Sequence, residues 1–366
     1  MIKQILITNT EVPAKRIGSW NHLLSKLLVK KPNFYDVIIC PKSETPILGV
    51  NLVVKEPKNK FVNLFSKFNK HYKKKTYWNE LNKILSSNSD EYIISIFDNL
   101  KILEAIHFYA CKFGVRNRIK IYFFLRGYRI ELNVENRARI YNSIDKLIVQ
   151  TYHSYINQVK ENHSLPCEVN ILPNGVDTNI FHPVNHSKKI KLIDENNLPK
   201  DKKIFLWVSN DRQKKGLFLI LKAWEQISEK YSNVLLIIIG TSNLKTKNSD
   251  TVLYIGNLPN QELASFYQLT DYYLFSSLCH EGHPLSLVEA LKCGAKCLAS
   301  DIDPVSEVLD DGRLGYLIKH PHMTNSWVKA IENVLNNNHQ FEVVHDLDEI
   351  YDIKTWIDGM NKILKK

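Results

Sequence analysis

The chain lacks any apolar run of the roughly twenty residues that a helix needs to cross a bilayer, so nothing in it reads as a membrane span. It also lacks the long apolar core and small-residue cleavage site of a secretory leader. Its start, Met1-Ile2-Lys3-Gln4-Ile5-Leu6-Ile7-Thr8, is strand-like instead, and the expected location is the cytoplasm. A disulfide framework is missing: the six cysteines, Cys40, Cys111, Cys167, Cys279, Cys293 and Cys297, are scattered, mostly in apolar contexts, and read as reduced thiols. Cys279, His280, His283, Cys293 and Cys297 crowd one stretch, but without the paired spacing that zinc requires. Internal repeats and long disordered tracts are absent, which excludes a solenoid or a mostly unfolded chain.

Acidic residues are nearly missing between Lys55 and Lys75, where eight Lys face one Glu and supply +7 of the chain's net +11. Phe61, Leu64, Phe65, Phe68 and Tyr72 recur there at helical spacing, while Lys60, Lys67, Lys70, Lys73 and Lys74 take other faces. A basic amphipathic helix of this kind suits an anionic membrane surface, or equally a helix packed on its own domain with a solvated Lys face. No nucleic-acid motif accompanies the charge, so nucleic acid is not an expected partner.

What remains is an ordinary globular composition, 44% apolar and 24% charged over 366 residues, long enough for two domains with separate cores. Strand-like runs at 2–8, 35–40, 91–97, 119–125, 146–149 and 168–172 alternate with helical patterns. A second alternation, with strands at 204–209, 234–240, 252–255, 272–275 and 296–299 and helices near 216–230, 260–268 and 284–293, starts at Lys203. Such alternation predicts α/β architecture with parallel sheets covered on both faces. The polar stretch from His182 to Lys200 reads as a connection between domains. The last twenty residues, with Ile353, Trp356, Ile357, Met360 and Ile363, read as an amphipathic helix.

One stretch points to chemistry. Cys279-His280-Glu281-Gly282-His283-Pro284-Leu285-Ser286-Leu287-Val288-Glu289 follows an apolar strand and opens a helix, with Pro284 suited to a first turn that needs no amide donor. The free amides of Leu285, Ser286 and Leu287 then lie at the positive end of the helix, where an anion binds. A diphosphate there has Glu281 beside it and Glu289 about two turns further along. Lys215, just before Gly216, offers a point charge from another strand-end loop.

Glu281-Gly282-x-Pro284-Leu285-x-Leu287-x-Glu289-Ala290-Leu291-x-x-Gly294 resembles the signature of retaining glycosyltransferases of family 4 (glycosyl transferases group 1), whose GT-B fold sets two Rossmann-like domains facing each other across a cleft. Three further segments resemble that family in the same order: Pro173-Asn174-Gly175-Val176-Asp177 with Phe181-His182-Pro183, then Lys214-Lys215-Gly216-Leu217, then Asp303-Pro304-Val305-Ser306-Glu307-Val308 with Gly312 and Gly315. The likeness covers residues 170–320 well and the first half poorly. It implies an acceptor-binding domain over 1–180, a nucleotide-sugar-binding domain over 181–345 and a helix over 346–366 crossing back to the first domain.

By the same resemblance, Lys215 neutralises the diphosphate and Glu281 contacts the transferred sugar, while Glu289 accepts from the ribose hydroxyls. Gly282, His283, Leu285 and Ser286 line the donor site, and the loop at Asn257 reads the base. The family's second cation stands six residues before its Lys; Ser209 occupies that place here, and Arg212 or Lys214 could serve instead. On the acceptor side the candidates are Gly18, in a turn after the first strand, and Arg126, where many relatives carry His-Gly; Arg126 equally suits a structural ion pair. Asp98 and Asn99, at another strand end, are further candidates. The Asp301-Ile302-Asp303 and Asp346-Leu347-Asp348 patterns lie outside the context in which another sugar-transferase fold holds a metal. No metal and no cofactor are expected beyond the nucleotide sugar as co-substrate. The implied reaction is retaining transfer of a sugar from a nucleotide-diphosphate sugar, expected to be UDP-linked, to a glycan or lipid-linked acceptor in bacterial surface polysaccharide or lipopolysaccharide synthesis. The alternatives are a GT-B epimerase or hydrolase of nucleotide sugars and a non-catalytic basic adaptor for membrane or nucleic acid.

Overall fold

Uninterrupted β-branched and aromatic runs become the central strands. All six residues of Tyr92–Phe97 and of Val234–Ile239 are buried, as in strands covered on both faces. The computed structural model describes residues 2–12, 19–42, 51–54, 71, 74–130, 132–241, 248–342 and 351–365. The basic segment 55–75 lies outside these residues except for His71, Lys74 and Lys75, and Gly18 lies outside them entirely.

Seven strands form the first sheet: β1 (Lys3–Ile7), β2 (Val37–Cys40), β3 (Asn51–Val53), β4 (Tyr92–Phe97), β5 (Ile119–Phe124), β6 (Lys146–Val149) and β7 (Glu168–Ile171). They pair in parallel in the order β3-β2-β1-β4-β5-β6-β7. Six form the second: β8 (Lys203–Val208), β9 (Val234–Ile239), β10 (Val252–Gly256), β11 (Tyr272–Phe275), β12 (Lys296–Ser300) and β13 (Tyr316–Ile318). Their order is β10-β9-β8-β11-β12-β13, again parallel. In the second sheet the chain goes from β8 to β9 on one side and later returns to place β11 on the other. The reversal of strand order therefore falls between β8 and β11, where open α/β sheets bind ligands at their carboxyl ends.

Helices cover the sheets through regular apolar stripes. In Leu217–Lys230 the buried positions Ile220, Ala223, Trp224 and Ile227 follow the three-then-four spacing of one helix face. Several helices open on a side-chain cap: Asn99 accepts from the Ile102 amide, Asn133 from Asn136, Thr151 from Ser154 and Asn185 from Lys188. The last of these corrects the sequence reading. Residues 182–200 are not a bare connection but contain the helix His186–Glu195, which buries Leu192 and Ile193 and ties Lys189 to Asp271 at 2.8 Å. Its high charge hides a stripe only two residues wide.

The chain divides into two compact units, Met1–Pro173 with Ile357–Lys366, and Asn174–Trp356. The final helix, Ile353–Lys365, starts in the second unit and ends in the first, where Ile357, Met360, Ile363 and Leu364 are buried and Gln4 Nε2 donates to the Leu364 carbonyl at 3.3 Å. Among the described residues no helix is long and apolar enough to cross a membrane.

Candidate active site

Two loops of the second unit meet where its strand order reverses. The loop after β8 carries Arg212 and a short 3-10 turn, Gln213–Lys215, closed by Gly216 in the left-handed region at φ 73°. A Cβ on Gly216 would lie 2.1 Å from the Ser276 carbonyl oxygen, so both conformation and space demand glycine there. The loop after β11, Ser276 to Pro284, leads to the helix Leu285–Lys292.

The second loop holds the first. Trp207 Nε1 donates to Ser276 Oγ at 3.0 Å, Ser276 Oγ donates to the Lys215 carbonyl at 2.9 Å, and the Leu278 amide donates to the Lys214 carbonyl at 2.8 Å. The Lys215 ammonium pairs with Glu281 Oε1, both side chains being mostly buried. Ser277 Oγ donates to that same oxygen at 2.6 Å, and the Cys279 thiol lies 3.7 Å from it. None of the serines stood out in the sequence, because two adjacent serines at a strand end carry no pattern of their own.

Glu289 is 7% exposed, on the inward face of its helix. Asn260 Nδ2 donates to Oε1 at 3.0 Å, and the Tyr267 hydroxyl lies 3.5 Å from Oε2. Burial raises the Tyr267 hydroxyl well above its ordinary pKa, so it stays protonated as a donor. A carboxylate this deep needs such partners. Asn260 and Tyr267 belong to the helix Asn260–Leu269, which follows the loop containing Asn257; Asn257 itself is exposed, and its neighbour three residues on makes the contact.

The remaining donor-site candidates sort by depth. Leu285 and Gly282 are buried, Ser286 is half-buried, and Arg212 is exposed on the same loop as Lys215. Only the Leu285 and Ser286 amides keep the free helix-start geometry expected of three residues, since the Leu287 amide donates to the Pro284 carbonyl at 3.1 Å. His283 is 5% exposed, and neither ring nitrogen has a hydrogen-bond partner. Its ring meets Tyr351 edge-on at 4.7 Å, and burial pushes its pKa down to about 3. The imidazole is therefore neutral and does not serve as a cation for a phosphate. Among the described residues no three His, Cys, Asp or Glu side chains are grouped to hold a metal ion.

Arg126 belongs to the first unit, after β5. Its Nε stands 3.4 Å from Asp98 Oδ2, and its amide is 3.4 Å from Asp98 Oδ1. Asp98 sits at the end of β4 with φ 49°, and burial raises its pKa despite the neighbouring guanidinium. Asn99 beside it caps the helix Leu100–Lys112.

Residues 188–350 match the family model described as glycosyl transferases group 1. The matched segment contains Lys215, Glu281 and Glu289, together with Ser277, Asn260 and Tyr267. The lipopolysaccharide 1,2-N-acetylglucosaminetransferase of Salmonella typhimurium is 24% identical over 192 residues, covering 48% of this chain and 49% of that protein. The chain thus spans about half the length of that curated relative. Two solved structures share the whole fold. Sucrose-phosphate synthase from Thermosynechococcus elongatus superposes with a TM-score of 0.74 at 16% identity, over 99% of this chain and 98% of that one. Anabaena HepE in complex with UDP gives 0.75 at 13% identity over 100% of both. With two parallel sheets covered by helices, the chain has the two-domain α/β GT-B fold.

Proposed function

We propose that this protein is a retaining glycosyltransferase of the family 4 type that takes a hexosyl group from a UDP-linked sugar. The observation that carries the reading is the meeting of Lys215 and Glu281 from the loops after β8 and β11, with Glu289 about one turn into the helix that Glu281 precedes. Two acidic groups and one cation then flank a helix start with two free amides. That arrangement suits a diphosphate bearing a sugar at each end.

In this reading the Lys215 ammonium and the Leu285 and Ser286 amides take up the negative charge that grows on the diphosphate as the glycosidic bond breaks. Glu281, an acceptor-only carboxylate, receives a hydroxyl of the transferred sugar, and Glu289 receives the ribose hydroxyls. The acceptor hydroxyl attacks from the face the leaving group departs, passing its proton to a phosphate oxygen, so the anomeric configuration is kept without a protein nucleophile. This differs from retaining hydrolysis, where two carboxylates flank the bond.

The UDP bound by HepE and the lipopolysaccharide role of the Salmonella relative support a UDP-sugar and an acceptor in surface polysaccharide or lipopolysaccharide assembly. A glycan or lipid-linked acceptor is the proposed second substrate, with the Lys-rich segment 55–75 meeting an anionic membrane surface and Arg126 placed for an acidic acceptor group. A panel of UDP-, GDP- and ADP-sugars tested by thermal shift checks the donor, since a ligand that binds only the folded state raises stability by mass action. The reading fails if none raises Tm and no sugar is transferred to lipid-linked glycan.

A further inference from the structure

We propose that Ser277 is a positioning residue that fixes which oxygen of Glu281 meets the substrate. Ser277 is 2% exposed, so its hydroxyl proton must find a protein acceptor, and the shortest contact is Glu281 Oε1 at 2.6 Å; the Cys279 carbonyl is at 3.4 Å. Oε1 also takes the Lys215 ammonium and lies near the Cys279 thiol, so three donors converge on one atom. Oε2 has no hydrogen-bond partner among the described residues.

A carboxylate on a long side chain turns freely unless something distinguishes its two oxygens. Lys215 alone does not, because an ammonium on a flexible stem follows whichever oxygen is nearer. Ser277 does: it is buried in the loop, two residues past the end of β11 and four before Glu281, and one short side-chain torsion sets its oxygen. With Oε1 held by that hydroxyl, Oε2 is the oxygen left to accept a sugar hydroxyl. When a diphosphate draws Lys215 away, Ser277 keeps the carboxylate in place. This role rests on the reading above, in which Glu281 meets the transferred sugar.

The test compares Ser277→Ala and Ser277→Thr with the wild-type protein, using release of UDP from UDP-glucose, UDP-galactose and UDP-N-acetylglucosamine, and UDP affinity by calorimetry. The alanine variant should lose roughly ten- to hundredfold in kcat, the range for a hydrogen bond to a charged group. Its UDP affinity should stay within about twofold, because the lost contact bears on the sugar rather than the nucleotide. Threonine, which keeps the hydroxyl, should recover most of the rate. Unchanged kcat in Ser277→Ala overturns the proposal. So does a parallel fall in kcat and UDP affinity, which marks Ser277 as a support for the whole Lys215 loop. If the wild-type protein turns over none of the three sugars, the glycosyltransferase reading is what suffers, and crystal structures of wild type and Ser277→Ala decide the Ser277 role. A Glu281 carboxylate in the same orientation in both sinks it, and one that turns or splits between orientations upholds it.

Discussion

Lowering the pH from 7 to 5 should weaken the second unit through His283 alone by an amount that can be worked out. The ring is buried, its pKa is pushed down to about 3, and an unfolded histidine titrates near 6.5. Between those two values the unfolded chain binds a proton that the folded chain refuses, so stability falls as pH drops below about 6.5 and goes on falling toward about 3. At pH 5 the unfolded state has gained about 2 kcal/mol relative to pH 7 from this one site. For a unit of this size that corresponds to a loss of roughly 4–8 °C in Tm. The control is His283→Phe, which keeps an aromatic ring against Tyr351 and carries no titrating group. Urea midpoints of both proteins at pH 7 and pH 5, followed by tryptophan fluorescence, isolate the term because every other group cancels in the difference. The wild-type protein should lose about 2 kcal/mol more than the variant, and the variant should already be firmer at pH 7, having no unpaired buried nitrogens. Parallel pH dependence in the two proteins would refute the account and mean that the imidazole finds a partner when charged.

Glu281→Ala should keep UDP affinity and lose turnover, whereas Glu289→Ala and Lys215→Ala should weaken UDP binding as well; calorimetry with UDP separates the two classes. Asn260→Ala strips Glu289 of its 3.0 Å donor and should resemble Glu289→Ala in milder form, by roughly tenfold in UDP affinity. Gly216→Ala forces a side chain into a left-handed turn and onto the Ser276 carbonyl, so it should cost more than about 1 kcal/mol in urea unfolding and abolish turnover by moving Lys215. Asn185→Ala should cost about 1 kcal/mol through the lost cap of the helix His186–Glu195, with kinetics unchanged.

The strands and the pairing of chemistry with strand ends were readable in the residues because buried parallel strands write themselves as long β-branched runs. Val234–Ile239 could hardly be anything else. The three-residue strands β3 and β13 were invisible, being too short to show a period, and the helix His186–Glu195 was masked by its charge. In the site, Lys215, Glu281 and Glu289 were legible through the resemblance of the segments 214–217 and 281–294 to a known family; taken singly, each reads as an ordinary surface charge. Their supports were not. Ser276, Ser277, Asn260 and Tyr267 act through position alone, and their contacts with Lys215, Glu281 and Glu289 span from four residues (Ser277 to Glu281) to 61 (Ser276 to Lys215), too irregular for any spacing rule to connect them. His283 was read as a donor-site residue, and only its depth shows it to be neutral.

Because Ile357–Lys366 completes the unit that Met1 begins, that unit is assembled from stretches translated far apart in time. A ribosome makes β1 through β7 first, then the whole of Asn174–Trp356, and only afterwards the strip that carries Met360 and Leu364. Until then the surface around Leu172 that Gly359 will approach is bare, since a Cβ at Gly359 would come within 2.4 Å of the Leu172 side chain. A nascent chain stalled before Ile357 should hold a finished second unit and a first unit that still lacks the strip carrying Met360 and Leu364.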